Sequence, residues 1–323
     1  MMKYEEFKEA FLTDFKKYLP EEYRDRALSI EPVIKINTVM DGVSLDLIVD
    51  GIHICPTIYL NQMYEKYLKT ENLQKVFENA AMCIAQAVNE ISEKSERLDF
   101  KNAKENIVFQ VVNTLQNKTL LEDIPHREFL DLSIIYRWVI EVDEKGIQSF
   151  VIHNSLAERL GMNEEQLFKC AVENTRRIFP PTVKSINDVI REIRDGMPAE
   201  IADMMIDEFP EDKMVWVISN NRGINGAGSI LYEDNLHKLA SQLESDLYIL
   251  PSSVHECIAT SASIVEPYCL TAMVREINLT ELAIEDRLSN LVYHYSRTTR
   301  KLTVAVDNPN RSLDDMGTGT SLM

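Results

Sequence analysis

MVWVISNNRGINGAGSILYEDNLHKLASQLESDLYILPSSVHECI, residues 214–258, carries the densest local signals in the chain and decides how its C-terminal half is read. Val215–Ser219 is a short apolar run and predicts a buried strand. A Gly-rich turn follows, then a second predicted strand, Ser229–Tyr232. Next come an amphipathic helix and a third predicted strand, Leu247–Leu250, which runs directly into Pro-Ser-Ser-Val-His-Glu. If the first two strands form a hairpin, the helical crossover makes the second and third parallel. The Gly turn and His255 then lie at opposite edges of the sheet and share no site.

Downstream, Val265–Ile277 reads as a helix. Ser289–Tyr295 and Lys301–Val306 read as a hairpin around Arg297–Arg300, and residues 307–323 form a polar tail expected to be disordered. Upstream, Leu132–Val142 and Gln148–His153 alternate around Asp143–Gly146, a second hairpin. Helices are expected at 155–160, from Asn163 to the Pro180-Pro181 stop, and at 184–195. Residues 102–117 also read as helical, with Ile107, Val108, Val111, Val112 and Leu115 on one side. The N-terminal part opens with a helix whose Phe7, Phe11, Phe15 and Tyr18 share a face. Three runs follow, Ser29–Asn37, Val43–Val49 and Ile52–Ile58, with Asp41-Gly42 and Asp50-Gly51 as hairpin turns. Pro56 belongs at a strand end or an edge. Helices at 60–68 and 73–93 complete this part. The expectation is an α+β protein with an N-terminal module at 1–97 and a C-terminal module at 98–306. The first carries an antiparallel meander and the second a mixed sheet with packed helices; a further division near 180–212 stays open.

The 323 residues carry a net charge of −18, with 45% hydrophobic and 27% charged residues. That composition is globular, and the negative field opposes nucleic acid and anionic membranes. No apolar run reaches the length of a membrane span. The five cysteines include no C-x-x-C pair and fit free thiols in a reducing compartment. MMKYEEFKEAFLTDF reads as an amphipathic helix, not a signal segment. A cytoplasmic location is the expectation.

The one candidate catalytic constellation is Pro251–Glu256 with Cys257. Ser252, Ser253 or Cys257 would be the nucleophile and His255 the base, with Glu256 orienting it. Neighbours on an extended chain point to opposite faces, so Ser253 and His255 share a side and Glu256 points away. No G-x-S-x-G elbow is present. The competing reading is a strand-end loop with structurally bonded hydroxyls and an inert, packed Cys257. Gly223-Ile-Asn-Gly226-Ala-Gly228 reverses the dinucleotide fingerprint and precedes a predicted strand, so it reads as a loop with glycines at positive φ. The six histidines show no metal-ligand spacing, and no cofactor is expected. The segment 198–208, PAEIADMMIDE, reads as an acidic helix bearing Ile201, Met204 and Met205. It is a candidate docking face for a basic protein partner or a solvated helix on the domain surface.

Several boxes occur in order: CPTIYLNQMYEKY (55–67), IPHREFLDLSIIY (124–136), VIHNSLAERLGMNEEQLFKCAVENT (151–175), INGAGSILYEDNLHKLASQLESDLYILPSSVHE (224–256), and MVREIN with LSNLVYHYSR (273–297). Together they resemble a family of uncharacterised bacterial proteins known only as a domain of unknown function, over about 4–306. The resemblance implies an intracellular bacterial protein and no activity, cofactor or catalytic residue. One departure is the segment Asp195–Asp212, longer than the corresponding link in the family. Two functions follow as expectations: a non-enzymatic binding or regulatory protein acting through protein contacts, or a hydrolase built at Pro251–Glu256.

Overall fold

The computed structural model describes residues 1–45, 47–49, 52–54, 56–94, 100, 102–143, 146–196 and 215–305. The chain forms two compact units, Met1–Phe100 and Lys101–Met323.

In the first unit, α1 (Tyr4–Asp14) precedes β1 (Ser29–Lys35), β2 (Thr38–Ser44), β3 (Leu47–Val49), β4 (Ile52–Ile54), β5 (Thr57–Tyr59), α2 (Leu60–Thr70) and α3 (Leu73–Lys94). The i, i+4 spacing of Phe7, Phe11 and Phe15 buries all three rings, and Phe77 of α3 packs edge-on against Phe11 and Phe15. β1, β2 and β5 form an antiparallel sheet, and β3 pairs with β4 with Val49 opposite Ile52; the expected Asp50-Gly51 turn lies outside the described residues. Asp41-Gly42 is not a turn. It lies inside β2 opposite Pro32 and Glu31, and the reversal falls at Ile36-Asn37, where Asn37 takes φ +61°. Asp41 serves tertiary contacts instead: Tyr4 and Lys8 donate to its carboxylate at 2.9 and 3.3 Å, and its N–H donates to Asn61 at 2.8 Å.

The second unit runs β6 (Ile107–Asn113), α4 (Lys118–Leu121), β7 (His126–Phe129), β8 (Leu132–Asp143), β9 (Gly146–Val151), α5 (Asn154–Leu160), α6 (Glu164–Ile178), β10 (Pro181–Ser185) and α7 (Ile186–Asp195). It continues with β11 (Trp216–Asn220), α8 (Glu233–Gln242), β12 (Leu247–Leu250), β13 (Cys257–Ser261), α9 (Pro267–Thr280), β14 (Tyr293–Ser296) and β15 (Lys301–Val304). One sheet has the order β10-β11-β13-β12-β14-β15, and in the other β8 is flanked by β6 on one side and by β7 and β9 on the other. The class is α+β. Every neighbouring pair is antiparallel, so the expected mixed sheet is corrected.

Two local expectations fail for identifiable reasons. Residues 107–113 form a strand and not a helix. Every residue of β6 is buried, so the apolar face that periodicity would reveal is split between two sides. Ile107, Phe109 and Val111 join the main core, while Val108 packs with Val139 and Phe179. The unpaired edge of β6 is closed by side chains of α6. Thr175 Oγ1 accepts from the Phe109 N–H at 3.0 Å, and Asn174 Nδ2 donates to the Ile107 carbonyl at 2.9 Å. α6 itself starts where the sequence places it, on a capping box in which Asn163 and Gln166 exchange hydrogen bonds at 3.0 Å.

The second failure is Ser229–Tyr232. Gly226–Leu231 is a buried 3-10 segment, not a strand, so the hairpin with β11 is not formed. A Cβ on Gly226 would stand 2.7 Å from both the Asn220 amide nitrogen and the His255 carbonyl and would collide with Ser219 Oγ; one on Gly228 would stand 2.6 Å from the Phe109 ring. Only Gly223 of the three glycines uses a positive φ, +63°. The other two permit close approach of backbone to core.

The two sheets are tied by a half-buried carboxylate. Asp131, on the β7–β8 turn, accepts from Ser289 Oγ at 2.7 Å and Tyr293 OH at 2.5 Å, and Asn113 Nδ2 donates to the Leu288 carbonyl at 3.0 Å. Burial raises the Asp131 carboxyl above its ordinary range although both hydroxyls oppose that shift.

Candidate functional site

β12 ends at Leu250 and β13 begins at Cys257, so Pro251–Glu256 must turn the chain between antiparallel neighbours. Its backbone is hydrogen-bonded on both sides. Leu288 and Ser289 donate to the carbonyls of Ser252 and Pro251 at 2.8 Å, and Val254 donates to the Asp286 carbonyl at 2.8 Å. On the other side, Ala227 donates to the Val254 carbonyl at 3.2 Å, and Ser219 Oγ to the His255 carbonyl at 2.7 Å. The Gly loop and His255 therefore meet, against the expected separation at opposite edges. The missing hairpin is the reason: as a 3-10 segment, Gly226–Leu231 turns back beneath the strand-end loop.

The His255 ring is spent at both nitrogens. The Asn225 backbone N–H donates to Nδ1 at 3.2 Å, which places the ring proton on Nε2, where it donates to Asp286 Oδ1 at 3.1 Å. A serine hydrolase needs the serine hydroxyl on one imidazole nitrogen and an orienting group on the other. Ser253 is 2% exposed; its Oγ accepts from the His255 backbone N–H at 3.0 Å. Glu256 does not orient the imidazole, whose nitrogens are taken by Asn225 and Asp286, and burial raises its carboxyl against the pull of His255 and Ser253. Cys257 is fully buried in β13, its Sγ 3.7 Å from the Ala227 carbonyl, and burial pushes its thiol far above the ordinary range. A reactive thiol needs the opposite surroundings. Ser253, His255, Glu256 and Cys257 are neighbours without forming a nucleophile–base pair.

The same junction extends inward to residues the sequence reading did not single out. Asn225 Oδ1 accepts from Gln110 Nε2 at 3.0 Å, and Gln110 Oε1 accepts from Arg137 Nη1 at 3.5 Å. The chain Arg137–Gln110–Asn225–His255–Asp286 so joins both sheets. The missed signal was Arg137 itself, a lone cation inside the apolar run LSIIYRWVI of β8.

A cleft of about 690 Å³ lies elsewhere in this unit, lined by Val183, Ser185, Asp188, Trp216, Asn235 and Lys238 among others. Ser185 and Asp188 are committed to the N-terminus of α7: Oγ donates to the carboxylate at 2.6 Å and accepts from the Asp188 N–H at 3.1 Å. Among the described residues no group of three or more His, Cys, Asp or Glu side chains could hold a metal ion, and no helix is long and apolar enough to cross a membrane. The acidic segment 198–208 lies outside the described residues.

α9 presents a different kind of surface. Leu270, Val274 and Asn278 are its buried face. On the outside, Cys269, Met273 and Ile277 form one exposed i, i+4 row, and Tyr268, Ala272 and Leu279, at spacings of four and seven, a second. Tyr268 is 74% and Met273 44% exposed. Ile264 and Ile284 add exposed apolar side chains just before and after the helix.

The sequence profile of a family of unknown function, DUF5688, matches residues 4–297. No curated protein and no solved structure matches the chain.

Proposed function

The chain belongs to that family of unknown function, and we propose that it is a binding protein whose partner is a helix with an apolar stripe flanked by basic residues, docking on α9. The observation that carries this reading is the outer face of α9. Large apolar side chains stand solvated on that face around Glu276, and a cluster of large solvated apolar side chains marks an interaction site. The partner's charge follows from what surrounds that face. Glu266, Glu276 and Glu281 are exposed on and beside α9, and its last turn contains no basic residue. Glu276 and Glu281 therefore add to the negative end of the helix dipole, which a cationic partner relieves. Met273 contributes an adaptable contact surface.

The test uses the full chain and three synthetic peptides: an amphipathic Leu/Lys helix, a scrambled peptide of the same composition, and a Leu/Glu helix. Titration calorimetry should show micromolar binding of the first alone. Met273→Glu combined with Ile277→Glu should weaken it by about tenfold or more while leaving the Tm close to that of the parent. Equal binding of the scrambled peptide, which reports net charge only, overturns the proposal. So does a double variant that binds as tightly as the parent, or a dimer formed through this face in light scattering.

A further inference from the structure

Arg137 is a guanidinium set into the interior of β8 without a counter-charge. Three of its five N–H groups have protein acceptors: Nε donates to Ser149 Oγ at 3.0 Å, Nη2 to the Ser149 carbonyl at 3.1 Å, and Nη1 to Gln110 Oε1 at 3.5 Å. None of these acceptors is charged, and no carboxylate pairs with Arg137 among the described residues. Burial lowers its pKa with nothing opposing. Guanidinium does not lose its proton in proteins, and a desolvated charge without a partner is costly.

The donor-only character of arginine fixes the amides around it. The Gln110 atom facing Arg137 must be its oxygen, so its nitrogen faces Asn225. The Asn225 atom receiving that nitrogen must in turn be oxygen. Asn225 Nδ2 is then left over as a donor. Ser149 Oγ already accepts from Arg137, so its hydroxyl proton is left over too. Asn220 is spent, its Nδ2 on the Ile224 carbonyl at 2.9 Å and its Oδ1 on the Arg222 N–H at 2.9 Å. These side chains line one small cavity of about 20 Å³, between β6, β8 and the Gly loop. That is room for roughly one water-sized species. Val108, Phe109, Val139, Ile147, Phe179 and Ile224 form the apolar half of its wall, and on the polar side Arg137, Asn225 Nδ2 and the Ser149 hydroxyl are donors beside acceptor atoms already used.

We propose that this cavity is a binding site for a single small monovalent anion of chloride's size, held by Arg137, Asn225 Nδ2 and the Ser149 hydroxyl. The inference is independent of the α9 face. The anion neutralises Arg137 and fastens β8 and β9 to the Gly loop through Asn225.

Thermal unfolding of the full chain in sodium chloride, sodium bromide and sodium gluconate at equal ionic strength tests it. Gluconate is too large for the cavity. The Tm should rise by about 3 °C or more in chloride and bromide over gluconate, and the rise should follow halide concentration. Arg137→Met should abolish the difference between salts. Asn225→Asp, which supplies a carboxylate beside Arg137, should also abolish it while unfolding in gluconate no lower than the parent; Asp tolerates the left-handed φ of +52° found there. Crystals grown in bromide should give an anomalous peak within about 3.5 Å of the Arg137 guanidinium. Identical Tm values in halide and gluconate, an undiminished halide response in Asn225→Asp, or a bromide-free cavity overturns the proposal in favour of a bound water.

Discussion

Pro251–Glu256 and the Arg137 cavity are the two ends of one polar chain, and they differ in what is left over. At the His255 end, both ring nitrogens, the Ser253 hydroxyl and the flanking backbone groups have internal partners. At the Arg137 end, donors outnumber acceptors and, among the described residues, a charge has no opposite. Nucleophile-type residues whose atoms are all consumed hold a fold together. Unspent donors beside a cavity invite a ligand.

Gly226 gives the largest expected effect. Gly226→Ala puts a methyl against the Asn220 amide nitrogen and the His255 carbonyl and forces apart the contact that links the two ends. Denaturant unfolding should show a loss of about 3 kcal/mol, the upper range for overpacking; a loss below about 0.5 kcal/mol, typical of an unremarkable surface site, would mean that the loop does not need this approach. His255→Ala comes next, leaving the Asn225 N–H and the Asp286 carboxylate without their partner. A cost of about 2 kcal/mol is expected, and a neutral outcome would dissolve the contrast between the ends.

Asp131 sharpens the comparison with the smallest effect. It too is half-buried with no opposite charge on it among the described residues, yet two hydroxyls satisfy it. Its folded pKa lies above the unfolded value of about 3.9, so across that interval the native state holds more protons. Stability contributed by its protonated form is present below the unfolded pKa and is lost as pH rises through the folded one. Asp131→Asn keeps an acceptor for Tyr293 and removes this slope. The variant should be as stable as the parent at neutral pH or slightly more so, and its pH–stability curve should be flatter just above pH 4. An unchanged curve would show that Asp131 is solvated.

Local signals carried much of the architecture. The Phe stripe of α1, the start of α6 at Asn163 and the β8–β9 hairpin were readable because each depends on residues a few positions apart. β6 was not, since a strand buried on both faces has no polar side to mark its period. Gly226 and Gly228 were readable as glycines but not for their purpose, because the atoms that exclude a Cβ come from Asn220, His255 and Phe109. The anion cavity was least legible. Arg137, Gln110 and Asn225 converge from three separate stretches, with Gln110 and Asn225 115 positions apart, and no spacing rule connects them. His255 drew notice through its Ser and Glu neighbours, whereas its structural partners Asn225 and Asp286 lie 30 and 31 positions away.

The closure of the β6 edge by Asn174 and Thr175 also bears on how this protein would fail. IVFQVVN, residues 107–113, is uncharged, rich in β-branched residues and free of proline and glycine, the pattern of segments that stack into cross-β fibrils. In the native state α6 takes up the Phe109 N–H and the Ile107 C=O of that edge. If the C-terminal turns of α6 lift away, the edge becomes a template for strands of other molecules. α6 is thus a guard against aggregation as well as a packing element.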